Sequence, residues 1–332
     1  MKKRSNGFAA IVVVLTAISA AWGLWIWAGN PVGSGRTKRV VVVVKPGMGA
    51  RAVGALLQRK GLIRSQWHWR WLVARGGVPK PGTYAVAATE RPESMLRRMV
   101  AGATATVNVT FPEGFTVVQI ADRLARRRII QDPESFVNVA KTRGAELFPQ
   151  LGGNPNLEGF LFPDTYAISV DANDEQILRQ MVANFERRWA EALEETGVRP
   201  DLSQPEIVVI ASLIERETRT PKDRPLVAGV IRNRLAAGQK LEIDATVQYA
   251  RGQHKKRLFY KDLEVDSPYN TYRNAGLPPG AICNPGYAAL LAALKPARHD
   301  FFYYVLGRDR RNHEFSKTFE EHKRRIAEIR RR

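Results

Sequence analysis

An internal repeat in the first half of the chain is the feature that most constrains the fold. Residues 42–63 parallel residues 107–130, and apolar side chains fall at matching places in the two segments. Such self-similarity predicts two copies of one structural unit before any single element is assigned. The matching apolar residues of the first copy and the second copy are, in order, Val53, Leu57, Leu62 and Ile63, and Ile120, Leu124, Ile129 and Ile130.

The match resumes further along both copies. PGTYAV at 81–86 parallels PDTYAI at 163–168, and ESMLRRMVA at 93–101 parallels EQILRQMVA at 175–183. The second copy therefore carries an insertion before its later strand. The periodicity and the Pro/Gly punctuation predict the same order in each copy: a strand, a turn, an amphipathic helix, a further helical stretch, a second strand and a closing helix.

The strand, turn and helix that open each copy resemble glycan-binding LysM modules. The resemblance is clearest in the second copy, at Pro112, Glu113 and Gly114. It implies that the repeats bind glycan chains. Two spacer domains that only hold a catalytic unit away from a membrane fit the same pattern, so both interpretations stay open.

The N-terminus predicts a membrane anchor. Residues 8–28 are uncharged and mostly apolar, and about 20 such residues are needed to cross a bilayer as a helix. Lys2, Lys3 and Arg4 precede the segment, which favours a cytoplasmic N-terminus and an extracytoplasmic remainder. A cleaved signal peptide is the alternative. Its apolar core is shorter, and Trp22, Trp25 and Trp27 extend this segment toward an aromatic interface belt, so we expect an uncleaved single-pass anchor.

The remaining sequence is divided by composition and by the repeat. A Gly, Pro, Ser and Arg-containing stretch follows the anchor and predicts a flexible linker. The predicted fold class is α+β, with a transmembrane helix, two repeated α/β modules and a C-terminal mixed α/β catalytic domain. The predicted bounds are a cytoplasmic N-terminus at 1–7, the anchor at 8–28, the linker at 29–38, the first module at 39–104, the second module at 105–184 and the catalytic domain at 185–332.

The net charge narrows the set of partners. The chain of 332 residues has 52 Lys plus Arg and 32 Asp plus Glu, a formal net charge of +20. Such an excess suits nucleic acid, but the anchor places these residues outside the cytoplasm and no nucleic-acid-binding motif is present. Anionic lipid headgroups or acidic wall polymers are the better expectation, and no nucleic acid partner is predicted.

The sequence IVVIASLIERET at 207–218 predicts a helix that ends in two acids. Apolar residues recur at three/four spacing and form one stripe of the helix. A helical wheel places Glu215 and Glu217 at opposite borders of that stripe, with Arg216 pointing away. An acid at an apolar border has a raised pKa, which suits a general acid near neutral pH. An ordinary surface pair between Glu215 and Arg219 at i,i+4 is the alternative.

Four segments together resemble the endolytic murein transglycosylase family, the YceG-like proteins. They are ASLIERET, LEIDATVQY at 241–249, SPYNTY at 267–272, and GLPPGAI with NPG at 276–286. The resemblance implies that the first acid of the helix, Glu215, is catalytic, with Glu217 as second choice. Where the family has Asp-Pro-Thr, this chain has Asp244, Ala245 and Thr246. This departure loosens a loop but removes no reactive group.

The same motifs supply the predicted substrate-binding residues. They are expected to contact sugar or to orient Glu215, although turn capping explains each of them equally well when taken singly. The loop GLPPG suits a cleft wall, because proline fixes φ and glycine permits close approach. The predicted residues are Asp244, Tyr249, Asn270, Tyr272, Pro279 and Asn284.

The resemblance implies lytic cleavage of peptidoglycan strands, with 1,6-anhydro ends as product. One acid suffices for that chemistry, because a hydroxyl of the sugar itself replaces water as nucleophile. A hydrolase using Glu215 with Glu217 or Asp244 and a non-catalytic glycan-binding protein are the alternatives. Metal-binding, nucleotide-binding and nucleophile-elbow motifs are missing from the sequence, so no metal and no cofactor is expected. The implied partners are peptidoglycan, the inner membrane and peptidoglycan synthases.

Overall fold

The structure is a computed structural model that describes residues 4–35, 38–252, 255 and 258–331, with residues 4–9 described by their backbone alone. Residues 1–3, which hold two of the three cations before the anchor, and residues 36 and 37 of the predicted linker lie outside the described residues. The described chain divides into two compact units. One comprises Met1–Val107 with Ala167–Asp171, and the other comprises Asn108–Tyr166 with Ala172–Arg332.

The N-terminal helix α1 spans Arg4–Gly29. Its segment Ala10–Gly29 is, by length and composition, apolar enough to cross a membrane, with a mean hydropathy of 2.0. This agrees with the predicted apolar helix. The segment that follows is held against the first repeat, because Arg64 donates to the carbonyl of Pro31 at 2.8 Å and the Gly33 N–H donates to the carbonyl of Ala88 at 2.9 Å.

The first repeat has the predicted order of elements. Its two strands pair antiparallel, with Val42 opposite Tyr84, and their inward side chains cover a core with Trp69 and Met95. Burying each such large apolar side chain contributes about 1.5–3 kcal/mol. The elements are β1 (Val40–Val44), α2 (Ala50–Arg59), α3 (Gln66–Gly76), β2 (Gly82–Val86) and α4 (Pro92–Ala101).

The second repeat has the same order with an insertion. Its strands β3 and β4 also form a two-stranded sheet, and the division between the two compact units passes through this pair. The insertion adds the short helix α7 and a 3₁₀ turn at Pro149–Leu151 before β4. The elements are β3 (Thr106–Thr110), α5 (Val117–Arg126), α6 (Pro133–Thr142), α7 (Gly144–Leu147), β4 (Thr165–Ser169) and α8 (Asp174–Thr196).

The repeat extends from the sequence to individual contacts. All eight apolar residues that we matched between the copies are buried. The Tyr84 hydroxyl donates to the carbonyl of Lys80 at 2.8 Å, and the Tyr166 hydroxyl donates to that of Phe162 at 2.6 Å, four residues upstream in both cases. The predicted order of elements is thus confirmed. The likeness to LysM modules is not confirmed by the fold and stays a prediction.

The rest of the second unit is built around one central helix, α9. Helix α9 packs against α10, α11 and α12, and α12 also packs against α8. Helix α8 runs without a break across the predicted boundary between 184 and 185, and the domain bounds stay predictions. The elements are α9 (Gln204–Glu217), α10 (Asp223–Ala236), α11 (Asp244–Arg251), a 3₁₀ turn (Tyr260–Asp262), α12 (Tyr287–Leu294), β5 (Tyr303–Leu306), β6 (His313–Ser316) and α13 (Phe319–Arg330).

Candidate active site

Helix α9 carries both candidate acids at its C-terminal end. A capping box between Ser203 and Glu206 starts the helix. Helix α9 is more buried than a single apolar stripe predicts, because every residue from 207 to 214 is buried. Neighbouring helices cover α9 on several sides, so its side chains become accessible to solvent again only in its last turn. There Arg216 is exposed and both Glu215 and Glu217 are half-buried, as the wheel predicts.

Glu215 lies against the loop that precedes α12. The Gly286 N–H donates to Oε2 of Glu215 at 3.1 Å. Glu113, from the turn before α5, lies over the same glycine, and a Cβ on Gly286 would overlap the Glu113 carboxylate. Burial raises the pKa of Glu215, and the negative charge of Glu113 raises it further. Two acids from distant parts of the sequence thus meet at one glycine.

The alternative surface pair of Glu215 is not formed. Arg219 instead donates from Nη1 to the carbonyl of Arg310 at 3.2 Å, so the prediction of a Glu215–Arg219 pair is wrong. The helix ends at Glu217, and Thr218 has an extended backbone. Arg219 therefore falls outside the helical turn that an i,i+4 pair requires.

Glu217 faces a polar cavity of about 430 Å³. The Tyr304 hydroxyl donates to Oε2 of Glu217 at 3.1 Å, and the Tyr272 hydroxyl donates to Oδ1 of Asp244 at 2.7 Å. Burial raises the pKa of Glu217, and the charge of Asp244 raises it further, to about 7. The structure thus brings three of the predicted site residues together. The cavity-lining residues include Glu217, Arg234, Asp244, Tyr272, Tyr304 and His313.

Asn284 is not among the residues that line this cavity, and it is buried. Its side chain is 1% exposed, and Oδ1 accepts hydrogen bonds from the Gly159 and Leu161 N–H groups at 2.9 and 2.8 Å. Its Nδ2 donates to the carbonyl of Phe115 at 2.9 Å and to Oε1 of Glu158 at 3.1 Å. The side chain therefore holds the loop before α12 to the insertion and to the turn before α5.

Glu158 is the buried acid of this network. It is 1% exposed and accepts from the Val117 N–H at 3.0 Å and from the Tyr249 hydroxyl at 3.3 Å. Burial raises the pKa of Glu158 to about 8, so its neutral form dominates at neutral pH. These hydrogen bonds connect the insertion to α5 and α11.

The remaining predicted residues lie in both buried and exposed environments. Asn270 is fully buried, and its Nδ2 donates to the carbonyls of Leu263 and Val265, both at 2.8 Å. Tyr249 packs its ring 4.9 Å from that of Tyr269. Pro279 is exposed. A direct contact with substrate stays a prediction for each of these residues.

Sequence reasoning missed two residues at the site. Glu113 was visible only as the centre of a turn, and nothing local indicated its approach to Gly286. Tyr304 lies in the aromatic segment FFYYVL at 301–306, whose pattern does not distinguish a core tyrosine from one that binds an acid. Within the described part of the chain, no group of three or more His, Cys, Asp or Glu side chains is arranged to hold a metal ion.

The buried Glu158 predicts a measurable pH dependence of stability. Its folded-state pKa lies above the ordinary value of 4.5, so its stabilising contribution is complete below that value and is lost as pH rises toward about 8. We expect Glu158→Gln, which mimics the neutral acid, to gain about 2–3 kcal/mol relative to the wild type between pH 5 and pH 7. Denaturant unfolding at both pH values measures this difference, with Glu134→Gln on the exposed side of α6 as control. Parallel pH curves for Glu158→Gln and the wild type would contradict the assignment.

Comparison with known proteins connects this geometry to a family. The model of the YceG-like family matches residues 42–328. A Bacillus subtilis protein named endolytic murein transglycosylase is 32% identical over 309 residues, which cover 88% of this chain and 85% of that protein. A Streptococcus pneumoniae protein of the same name is 27% identical over 330 residues, and the match spans 60% of its length.

A solved structure has the same fold over most of the chain. The crystal structure of a yceG-like protein from Listeria monocytogenes superposes with a TM-score of 0.58 at 30% sequence identity. The match covers 86% of this chain and 98% of that one. The similarity therefore extends across the repeats as well as the region around α9.

Proposed function

The chain belongs to the YceG-like family, and from that premise we propose that it is a membrane-anchored endolytic murein transglycosylase, a lyase that cleaves peptidoglycan. It cuts the bond between N-acetylmuramic acid and N-acetylglucosamine within nascent glycan strands and leaves 1,6-anhydro-muramic ends. Cutting inside a growing strand limits its length. The names of the relatives from Bacillus subtilis and Streptococcus pneumoniae support the activity.

The observation that carries the proposal is the environment of Glu215. The acid ends a helix that is buried along most of its length, and its pKa is raised by burial and by Glu113. A raised pKa increases the fraction of the carboxyl that is protonated at a given pH, which favours action as a general acid. The Gly286 N–H fixes one carboxyl oxygen, so the acid is oriented before substrate binds.

The proposed reaction uses this one acid twice. Protonated Glu215 donates its proton to the glycosidic oxygen, and the bond from that oxygen to the anomeric carbon breaks. The 6-hydroxyl of the same muramic sugar attacks the anomeric carbon, and the Glu215 carboxylate accepts the hydroxyl proton. The acid is thereby regenerated and no water is consumed. Because the attacking hydroxyl is tethered to the reacting sugar, proximity replaces a second activating carboxylate.

The polar cavity beside Glu217 provides a subsite for sugar in this proposal. Hydroxyl and carboxylate groups of Tyr304, Asp244 and Tyr272 line it and match the hydrogen-bonding needs of a saccharide. The exposed Pro279 forms part of the cleft wall. Asn284, Asn270 and Tyr249 act by positioning these loops, since their polar groups are engaged within the protein.

Glu113 supports one alternative, a hydrolase with two carboxylates. In that mechanism the second acid activates water or attacks the sugar directly, and the product carries a new reducing end. The products separate the two mechanisms. We expect mass spectrometry of digested peptidoglycan to find 1,6-anhydro-muramic ends without new reducing ends. New reducing ends would support the hydrolase, and uncut strands would support a non-catalytic glycan-binding protein.

Glu113 also gives a prediction for the pH–rate profile. Removal of its charge in Glu113→Gln lowers the pKa of Glu215, because that charge contributes to the raised value. Since the first step needs protonated Glu215, the alkaline limb of kcat/KM should move to lower pH. Asp122→Asn, on the exposed side of α5, is the matched control. An unmoved alkaline limb in Glu113→Gln would contradict the coupling.

The proposed setting is the outer face of the inner membrane. Helix α1 crosses the bilayer once, and the cations at its start keep the N-terminus in the cytoplasm. The compact units then lie outside, where nascent strands are made, and peptidoglycan synthases are the expected neighbours. The excess of basic residues suits anionic headgroups and acidic wall polymers.

A further inference from the structure

Helix α3 of the first repeat is apolar on two sides. Its inner side contributes Trp69, Leu72 and Val73 to the core. Its outer side exposes Trp67 by 78% and Trp71 by 38%. Large aromatic side chains are seldom left in water, and Trp is enriched where a protein meets the interface of a bilayer.

The charges on the outer side of α3 are all positive. The guanidinium of Arg70 lies 5.0 Å from the ring of Trp67, and that of Arg75 lies 4.2 Å from the ring of Trp71. The sequence of α3, QWHWRWLVARG, contains no acidic residue. We call the four side chains Trp67, Arg70, Trp71 and Arg75 the tryptophan face.

The tryptophan face is continuous with the end of the apolar helix α1. The ring of Trp25 lies 4.5 Å from the ring of Trp71, edge to face, and 4.5 Å from the ring of His68. Arg64 lies 5.0 Å from the ring of Trp27 and also binds the carbonyl of Pro31. These contacts, with the Gly33 to Ala88 hydrogen bond, fix α3 beside the last turns of α1.

The depth of these contacts identifies the occupant. Trp25 precedes Gly29, the end of the apolar span, by four residues, which is about 6 Å along a helix. The headgroup region on each side of a bilayer is about 5–8 Å thick. When α1 spans the membrane, the ring of Trp71, which contacts that of Trp25, therefore lies within about one headgroup thickness of the boundary between hydrocarbon and headgroups.

We infer that the tryptophan face lies on the outer leaflet of the membrane that α1 spans and binds anionic phospholipid headgroups. This inference rests on the proposed anchor and does not depend on the catalytic mechanism. The indole rings occupy the interface while the arginines meet the phosphates of anionic headgroups. The first repeat is thereby held to the bilayer by a second contact in addition to α1.

The test uses the full chain reconstituted in phosphatidylcholine vesicles with about 30% phosphatidylglycerol, an anionic lipid. Lipids brominated close to the headgroup quench the fluorescence of tryptophans that touch them. Trp67→Phe preserves an apolar ring but removes one emitter. We expect this variant to lose part of the quenched emission, whereas Trp189→Phe in α8 loses only unquenched emission.

Two further measurements test the electrostatic contribution to lipid binding and the alternative that the tryptophan face binds glycan. The Trp67 share of the quenching should fall when phosphatidylglycerol is omitted, and in about 1 M salt, where the screening length is about 3 Å. Quenching of the α1 tryptophans without any Trp67 share would overturn the inference while leaving the anchor intact. Absence of all quenching would overturn the anchor and the inference together. A response of Trp67 to soluble peptidoglycan fragments but not to brominated lipid would assign the face to glycan instead.

Discussion

Glu215→Gln should abolish most strand cleavage while leaving glycan binding nearly intact. Glutamine keeps the size of the side chain and can still accept from the Gly286 N–H, but it neither donates an acidic proton nor takes one back. Positioned acid/base groups contribute about a hundredfold to ten-thousandfold in rate, so a loss of this size is expected. Release of 1,6-anhydro-muramic fragments measures the rate, and sedimentation with purified peptidoglycan measures the binding.

Glu217→Gln is the matched control for that experiment. Both acids are half-buried at the end of α9, and both have a raised pKa, so burial alone does not distinguish them. Glu217 accepts from Tyr304 in the cavity, and we expect its glutamine variant to weaken substrate use far less than Glu215→Gln does. Complete loss in Glu217→Gln with a normal rate in Glu215→Gln would reverse the assignment. Full activity in both variants would make the end of α9 structural.

Asn284→Ala should destabilise the second unit and slow catalysis together. The substitution leaves the Gly159 and Leu161 N–H groups and the Phe115 carbonyl without their side-chain partner. A buried polar group that loses its partner costs about 1–3 kcal/mol, so we expect a total of about 3 kcal/mol or more. This corresponds to roughly 10 °C in Tm for a unit of this size. Displacement of Gly286 should lower kcat at the same time.

Asn274→Ala is the control for the loss of an asparagine that binds loop carbonyls. Asn274 is exposed, and its Nδ2 donates to the carbonyls of Ser267 and Asn270 at 2.9 and 3.1 Å. We expect a change of about 0.5 kcal/mol, since exposed groups are solvated by water when a partner is lost. If Asn284→Ala instead raised KM with stability unchanged, a direct contact between Asn284 and sugar would be supported.

The sequence predicted those features that depend on near neighbours along the chain. The order of elements in each repeat follows from periodicity and turn residues, and the pairing of Tyr84 with Tyr166 by alignment corresponds to equivalent hydrogen bonds. The orientation of Glu215 and Glu217 follows from the helical angle per residue. Membership in the family was confirmed because several motifs match in order and spacing.

The sequence could not predict which of the polar site residues line the cavity and which are buried in the protein interior. Asn284 and Asn270 lie in loops of similar composition to that around Tyr272, and no local pattern tells whether such an amide points inward. Their environments are set by partners far away, such as Glu158, which precedes Asn284 by 126 positions. The contact of Glu113 with Gly286 likewise joins two segments that lie far apart in the sequence.

The contacts of Glu113 and Glu158 determine where a truncated form of the protein can begin. A fragment starting at 185 would lack Glu113, and it would also lack Glu158, the buried partner of Asn284. Removal of 107–130 alone, as a test of glycan binding by the repeat, would also remove Glu113, which contacts Gly286 beside Glu215. The shortest fragment that retains every contact of Glu215 described above begins upstream of Glu113, so the start of β3, and not the middle of α8, is the place to truncate.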